Sequence, residues 1–402
     1  VGDKQHVSAS DIRGASQLVI DATVGLTDLV ESLHHNISRA PGVLGKPVRT
    51  PTTGVTGIVY RSIRGVSRLV GNGVDALLAR VVPLIGPRPS SEEREAVVAA
   101  LNGVLGDHLA ATGNPLAITA QLRHNGEALE LAKPALAAAI PGATGRIAVL
   151  VHGLCMNDHK WDRNGPGHGA RLASAGFTPV YLNYNSGLHI SGNGRAFDAL
   201  LEALLEAWPV PVQELAIVAH SMGGLVSRSA LEYGRRAGHA WPKRLGRIVF
   251  LGTPHHGAPL ERGGNWIDFM LDASPYTAAF ARLGRIRSAG ITDLRHGSLL
   301  DEDWAKRDRF APSPRPAPLA LPAGVACYAI AASLGKEGNL GARILGDGLV
   351  PVPSALGRHK DPACSLDIPA ARQWIGFGMN HLDLLDNGEV GKQVVAWLSG
   401  PP

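Results

Sequence analysis

Residues 215–224 read Leu-Ala-Ile-Val-Ala-His-Ser-Met-Gly-Gly. An apolar, β-rich run ends at a small residue, and a serine then stands between short neighbours. The pattern predicts a strand that runs into a sharp turn and out into a helix, with Ser221 at the apex. Such a turn forces the serine backbone into a strained conformation, so the residues two before and two after it must be small. Ala219 and Gly223 fill those places. Alanine where glycine is usual adds one methyl group. The turn pushes the Ser221 hydroxyl out beyond the carboxyl end of its strand. The helix is expected to start at Met222, with its N–H groups facing any negative charge that develops there.

The chain around this turn alternates strands and helices. Ile118–Arg123, a His124-Asn125-Gly126 turn and a following strand read as a leading hairpin. Ile147–Val151, Val180–Asn183, Leu215–Ala219, Ile248–Leu251 and Val325–Ala331 read as strands, and Phe197–Ala207 as a helix. This order implies an α/β domain over residues 115–402, with a mostly parallel central sheet and helices on both faces. In such sheets ligands bind beyond the carboxyl ends of the strands. The polar motifs fall at those ends.

A serine hydroxyl is a poor nucleophile at neutral pH and needs a base beside it, which in turn needs an orienting acid. The strongest acid candidate is Asp347 in Gly346-Asp347-Gly348-Leu349-Val350-Pro351, with Asp367 as the fallback. The strongest base candidate is His381 in Met379-Asn380-His381-Leu382-Asp383. The order Ser221, Asp347, His381 suits a serine in mid-sheet whose partners come from later strand ends. Val151-His152-Gly153-Leu154 follows the first buried strand, so the Leu154 N–H can join the Met222 N–H in holding an oxyanion. Gly252-Thr253-Pro254-His255-His256-Gly257 ends another strand at the same edge. Asn183-Tyr184-Asn185-Ser186 is expected to border the pocket. His220 reads as structural, and Cys155 as a small buried side chain.

Residues 1–114 differ in kind and read as an N-terminal amphipathic helical module. Ile12, Ala15, Val19, Ala22, Leu26, Leu29, Leu33 and Ile37 recur three and four apart, as on one face of a helix. A second helix is expected over about 55–82 and a third from Ser90 to Ala111, opened by Ser90 with Glu93 and stopped by Gly113-Asn114-Pro115. Residues 39–88 carry eight arginines and lysines against Asp75 alone. The plain reading is a helical module that packs on itself or on the second domain. The sharper one is a basic surface for peripheral membrane or lipid-particle contact.

The stretch from about 258 to 318 is long for a connection in a compact sheet. It carries Trp266, Ile267, Phe269, Met270, Leu271, Tyr276, Phe280 and Trp304. It reads as a helical cap insertion, with Trp266, Phe269 and Met270 as substrate-binding candidates.

Bulk properties exclude several classes. Of 402 residues, 45% are apolar and 18% charged, as in a packed globular chain. The net charge of +5 comes with only 5% aromatics and no basic block interleaved with them, so no nucleic-acid partner is expected. Three cysteines without a CxxC leave room for at most one bridge and lack zinc spacing. The first residues show no leader pattern, and no run reaches the ~18 apolar residues of a membrane span. A cytoplasmic or peripheral membrane setting is expected. Oligomeric state is not legible.

These motifs, taken in order, resemble the α/β-hydrolase fold of the lipase and esterase group. Val-His-Gly-Leu, Ala-His-Ser-Met-Gly-Gly, Gly-Thr-Pro-His-His-Gly, Asp-Gly-Leu-Val-Pro and Asn-His-Leu-Asp-Leu are similar to those of bacterial triacylglycerol lipases. They are also similar to those of lipase-like enzymes that deacylate lipid-linked inositol. The resemblance covers about residues 145–390 and not residues 1–114. It implies an ester or lipid substrate, Ser221 as nucleophile, His381 as base, Asp347 as orienting acid, and Leu154 with Met222 as oxyanion donors. It implies no cofactor. Calcium sites of some relatives need a second aspartate; Asp383 matches one position, but only Glu337 stands near the other, so no metal is expected. Acyl transfer, polyester or amide cleavage with the same triad, and a lipid-surface binding protein, are the rival readings.

Overall fold

The structure is a computed structural model, and it describes residues 13–14, 17, 92–162, 165–258, 288–305, 319–338 and 346–400. The expected helix over 12–37 is described only at Arg13, Gly14 and Gln17. The helix over 55–82, the basic stretch 39–88, the Ser90–Glu93 cap, and Trp266, Phe269 and Met270 lie outside the described residues. So does most of the expected cap insertion.

Eight strands form one sheet: β1 (Gln121–His124), β2 (Glu127–Ala128), β3 (Arg146–Val151), β4 (Thr178–Asn183), β5 (Glu214–His220), β6 (Leu245–Leu251), β7 (Ala326–Ser333) and β8 (Gln373–Phe377). Their order is β2-β1-β4-β3-β5-β6-β7-β8. The β1–β2 and β1–β4 pairs are antiparallel, and the other pairs are parallel. Asn125 and Gly126 turn the leading hairpin with φ of 50° and 80°, the positive pair that a two-residue type I′ turn requires. The central strands read as continuous apolar runs because they are buried along their length, as strands covered on both faces must be.

Among the described residues the helices are α1 (Glu92–Ala111), α2 (Lys133–Ala139), α3 (His168–Ser174), α4 (Ile190–Ala207), α5 (Met222–Ala237), α6 (Ala289–His296), α7 (Val352–Ala355) and α8 (Gly388–Ser399). None among the described residues is long and apolar enough to cross a membrane. Gly194 lets α4 approach α5 closely, since a Cβ there would lie 2.2 Å from Ser229 Oγ. Asn387 caps α8 by accepting from the Glu389 and Val390 amides. The run Gln-Trp-Ile-Gly-Phe of β8 adds an edge strand that the sequence reading did not include.

The chain divides into two compact units, residues 1–94 with 111–117, and residues 95–110 with 118–402. In the first, Asn114 accepts from the Leu116 amide and donates to the Gly14 carbonyl. The division departs from the expected boundary at 114/115, because most of α1 belongs with the sheet. Two glycines explain this. A Cβ on Gly103 would lie 2.2 Å from Cys155 Sγ, and one on Gly106 1.8 Å from Asn185 Oδ1. Close packing through glycine leaves no periodic apolar signature, so the helix looked like part of the N-terminal module.

A partly buried ion cluster also joins α1 to the sheet. Arg123 Nη1 on β1 lies 2.7 Å from both Glu95 Oε2 and Asp158 Oδ1, and His159 Nε2 lies 3.1 Å from Glu95. Burial raises the Glu95 carboxyl, but its hydrogen bonds to His159 and Arg123 outweigh that and bring it from 4.5 down to about 2. A depressed carboxylate contributes stability above its ordinary value, and that stability is lost as the pH falls through the folded one. Urea titrations should therefore show the native chain losing stability between pH 4.5 and 2 relative to Glu95→Gln, with the gap near full size above pH 5. Parallel curves for the two proteins over that range would contradict it.

Candidate active site

Ser221 sits between β5 and α5 with φ 54° and ψ −123°, a region that non-glycine residues occupy only under constraint. The reason for the small residues is visible. A Cβ on Gly223 would lie 2.4 Å from the Val151 carbonyl oxygen and 2.6 Å from that of His152. Ala219 is fully buried in β5. The Ser221 amide donates to the Leu251 carbonyl at 2.8 Å, which locks the turn to the end of β6.

Asp347 follows β7 by way of residues 334–346. Its segment is anchored by Val350, Val352, Ala355 and Leu356, which pack with Ala329 and Ala331 of β7. One carboxylate oxygen accepts from the Leu349 and Val350 amides at 3.0 and 2.8 Å. The other lies 2.6 Å from His381 Nδ1. Both residues are buried. Nδ1–H donates to the carboxylate, which leaves Nε2 as the basic edge of the imidazole. Asp367, the fallback acid, is exposed.

Three contacts bring His381 to the serine turn. His220, next to Ser221, donates from Nε2 to the His381 carbonyl at 3.0 Å. The two rings are 4.7 Å apart. A Cβ on Gly252, the residue after Leu251, would lie 3.0 Å from His381 Cε1. Burial holds the His220 imidazole well below its ordinary value, helped by the neighbouring His381 charge, so His220 is a neutral brace. His168 supports the same loop from behind, donating from Nε2 to the Leu384 carbonyl at 2.8 Å.

The two expected oxyanion residues flank the serine. Met222 is the first residue of α5, so its amide has no carbonyl to meet inside the helix. Leu154 is buried in the loop after β3. That loop touches the serine, because a Cβ on Gly153 would lie 3.1 Å from Ser221 Cβ. Sequence reasoning placed Tyr184 and Ser186 at the pocket border and His152 among the residues that shape the loops, without assigning any of them a contact. All three are buried around this loop. The signal for them was only the His-Gly pair and the polar end of β4.

Other expectations resolve plainly. Trp304 stacks on His189 at 3.6 Å and donates to Ser191 at 3.0 Å, so this aromatic packs on the start of α4. Asp383 Oδ2 accepts from the Asn380 amide at 2.8 Å. Arg228 on α5 is buried and donates to the Leu319 carbonyl, with His255 Nδ1 3.5 Å away; burial lowers it to about 10. Among the described residues one group has metal-ligand geometry, Glu95 with Asp158 and His159. Arg123 pairs with both carboxylates there.

Burial pushes the Cys155 and Cys327 thiols up to about 12, while Cys364 is partly exposed. Iodoacetamide at pH 8 should modify Cys364 in the native protein, and the other two only after denaturation. Mass spectrometry of the native digest checks this, and rapid modification of Cys155 would contradict the burial.

A family model described as a PGAP1-like alpha/beta domain matches residues 199–324. No curated protein matches the chain. Among solved structures, the mature lipase BlEst2 of Bacillus licheniformis is 18% identical, with 70% of this chain and 98% of that one covered and a TM-score of 0.41. Lipase B of Aspergillus fumigatus is 13% identical, with 99% and 83% covered and a TM-score of 0.41. An esterase of Pyrobaculum calidifontis is 13% identical, with 64% and 76% covered and a TM-score of 0.38. Residues 199–324 match the PGAP1-like α/β domain, and the described residues hold a mostly parallel sheet with a strand–turn–helix at Ser221.

Proposed function

We propose that the protein is a serine hydrolase that cleaves carboxylic esters through an acyl-enzyme. The observation that carries this reading is the buried 2.6 Å contact between His381 Nδ1 and Asp347, tied through His220 to the strained Ser221 turn. A carboxylate that fixes the imidazole tautomer beside an apical serine is the arrangement that acyl transfer to serine needs.

In this reading Ser221 Oγ attacks the ester carbonyl while His381 Nε2 takes its proton. Asp347 stabilises the imidazolium. The amides of Leu154 and Met222 hold the oxyanion, and losing one such donor typically costs ~2.7–4 kcal/mol. Collapse of the tetrahedral intermediate expels the alcohol, which takes the proton from His381. Water then gives a proton to His381 and attacks the acyl group; collapse breaks the bond to Ser221 Oγ, which takes that proton back from His381 as the acid leaves. The substrate proposed is a medium or long acyl ester or a lipid. The supports are the motif resemblance and the apolar residues of the 258–318 insertion, with Trp266, Phe269 and Met270 as its contacts.

The test is turnover of a p-nitrophenyl ester series, with and without an added alcohol acceptor. Hydrolysis should rise with acyl length. Ser221→Ala should abolish it, and Asp347→Asn should lower kcat by roughly 10⁴. Residual turnover in Ser221→Ala equal to the parent would overturn the reading. Ester product exceeding free acid when alcohol is present would reassign the reaction to acyl transfer.

A further inference from the structure

Three successive peptide units lead from β3 through the proposed oxyanion amide of Leu154, and a different group holds each one. The His152 carbonyl accepts from the Tyr184 hydroxyl at 2.9 Å. The Gly153 carbonyl lies 2.8 Å from His152 Nδ1. The Cys155 amide donates to Ser186 Oγ at 3.0 Å. The tautomer of His152 follows from its other nitrogen, which faces the Tyr184 amide at 3.4 Å and must accept. Nδ1 therefore carries the proton and donates to Gly153. Burial lowers His152 to about 4, so it remains neutral.

A trans peptide is planar, with its C=O and N–H pointing in opposite directions. The bond to the Gly153 carbonyl therefore aims the Leu154 N–H away from His152. The next residue needs restraint of its own. Cys155 has φ 60°, the left-handed region that a side chain disfavours. Without a restraint it would relax and turn the loop. Ser186 holds its amide from one side. Helix α1 closes the other side, since a Cβ on Gly103 would lie 2.9 Å from Cys155 Cα and 3.0 Å from its nitrogen. Helix and β4 exit are themselves joined, because Asn185 Nδ2 donates to the Gly106 carbonyl at 2.9 Å.

We propose that Ser186, acting with Tyr184 and the glycine face of α1, is a positioning residue that sets the direction of the Leu154 N–H. The inference rests on the reading of Leu154 as an oxyanion donor. It adds a specific role for a helix that sequence reasoning assigned to another module, and for a hydroxyl that accepts from the loop backbone.

The experiment uses the full chain with Ser186→Ala, Ser186→Thr, Tyr184→Phe and Gly103→Ala, assayed on one p-nitrophenyl ester. A trifluoromethyl ketone serves as an analogue whose adduct oxygen occupies the oxyanion site. Ser186→Ala should lower kcat about 10-fold with KM within about two-fold, and weaken the ketone by the same factor, since a donor aimed at developing charge acts on the transition state. Ser186→Thr, which keeps the hydroxyl, should restore both. Tyr184→Phe and Gly103→Ala should show the same split between kcat and KM. Unchanged kcat and ketone affinity in Ser186→Ala and Tyr184→Phe, or a loss confined to KM, would overturn the proposal. Ser221→Ala separates the two readings. If it is inactive while Ser186→Ala matches the parent, only the positioning role fails; if it remains active, the hydrolase reading fails first.

Discussion

The close approach of Gly223 to the exit of β3 is the contact on which the site depends. With a Cβ 2.4 Å from the Val151 oxygen excluded, α5 can start against the loop that carries Gly153 and Leu154. The same approach demands the strained backbone of Ser221, at a typical cost of ~1–3 kcal/mol. The buried strand β5 and the buried face of α5 on either side offset that cost. One packing contact therefore sets the serine, the start of the helix and the neighbouring loop in a single geometry. The remaining partners are brought to it by hydrogen bonds to carbonyls, from His220 to His381 and from Ser221 to Leu251.

Electrostatics around this point are simple because burial keeps most of the imidazoles uncharged. His152, His168, His220 and His255 are all lowered by burial before any other cause. Neutral rings can serve as directed donors to carbonyls without competing for the Asp347 carboxylate. That carboxylate is satisfied by two amides and one imidazole. A buried carboxylate without such partners would be costly, so the turn at 346–350 does more than reverse the chain. It presents amide hydrogens to one oxygen and leaves the other for His381.

Much of this was legible in the sequence, because the signals were local. The apolar runs of β3, β5, β6 and β7 and the turn at Asn125-Gly126 each carry their structure within a few residues. The Ser221 turn does so too, through its need for small neighbours. Asp347 and His381 could be named from turn chemistry and order, although their contact spans 34 residues. What was hidden depends on partners that sequence does not align. Helix α1 packs through Gly103 and Gly106, which periodicity treats as weak positions. Trp304 was read with the insertion's apolar face, yet a histidine in α4's approach stacks on it. The β8 strand is a short edge run whose aromatic residues gave no clean alternation. The supports from Tyr184 and Ser186 act on backbone atoms, so no motif spells them.

The account's central claim is that Ser221, His381 and the amides of Leu154 and Met222 converge on one reacting carbon. A crystal structure of the protein inactivated by an alkyl phosphonate tests it most directly. The account predicts phosphorus bonded to Ser221 Oγ, a phosphonyl oxygen about 2.7–3.1 Å from both amides, and His381 Nε2 within hydrogen-bond reach of the adduct. Phosphorus on another residue, or the His381 ring turned away while its Nδ1 keeps Asp347, would contradict it.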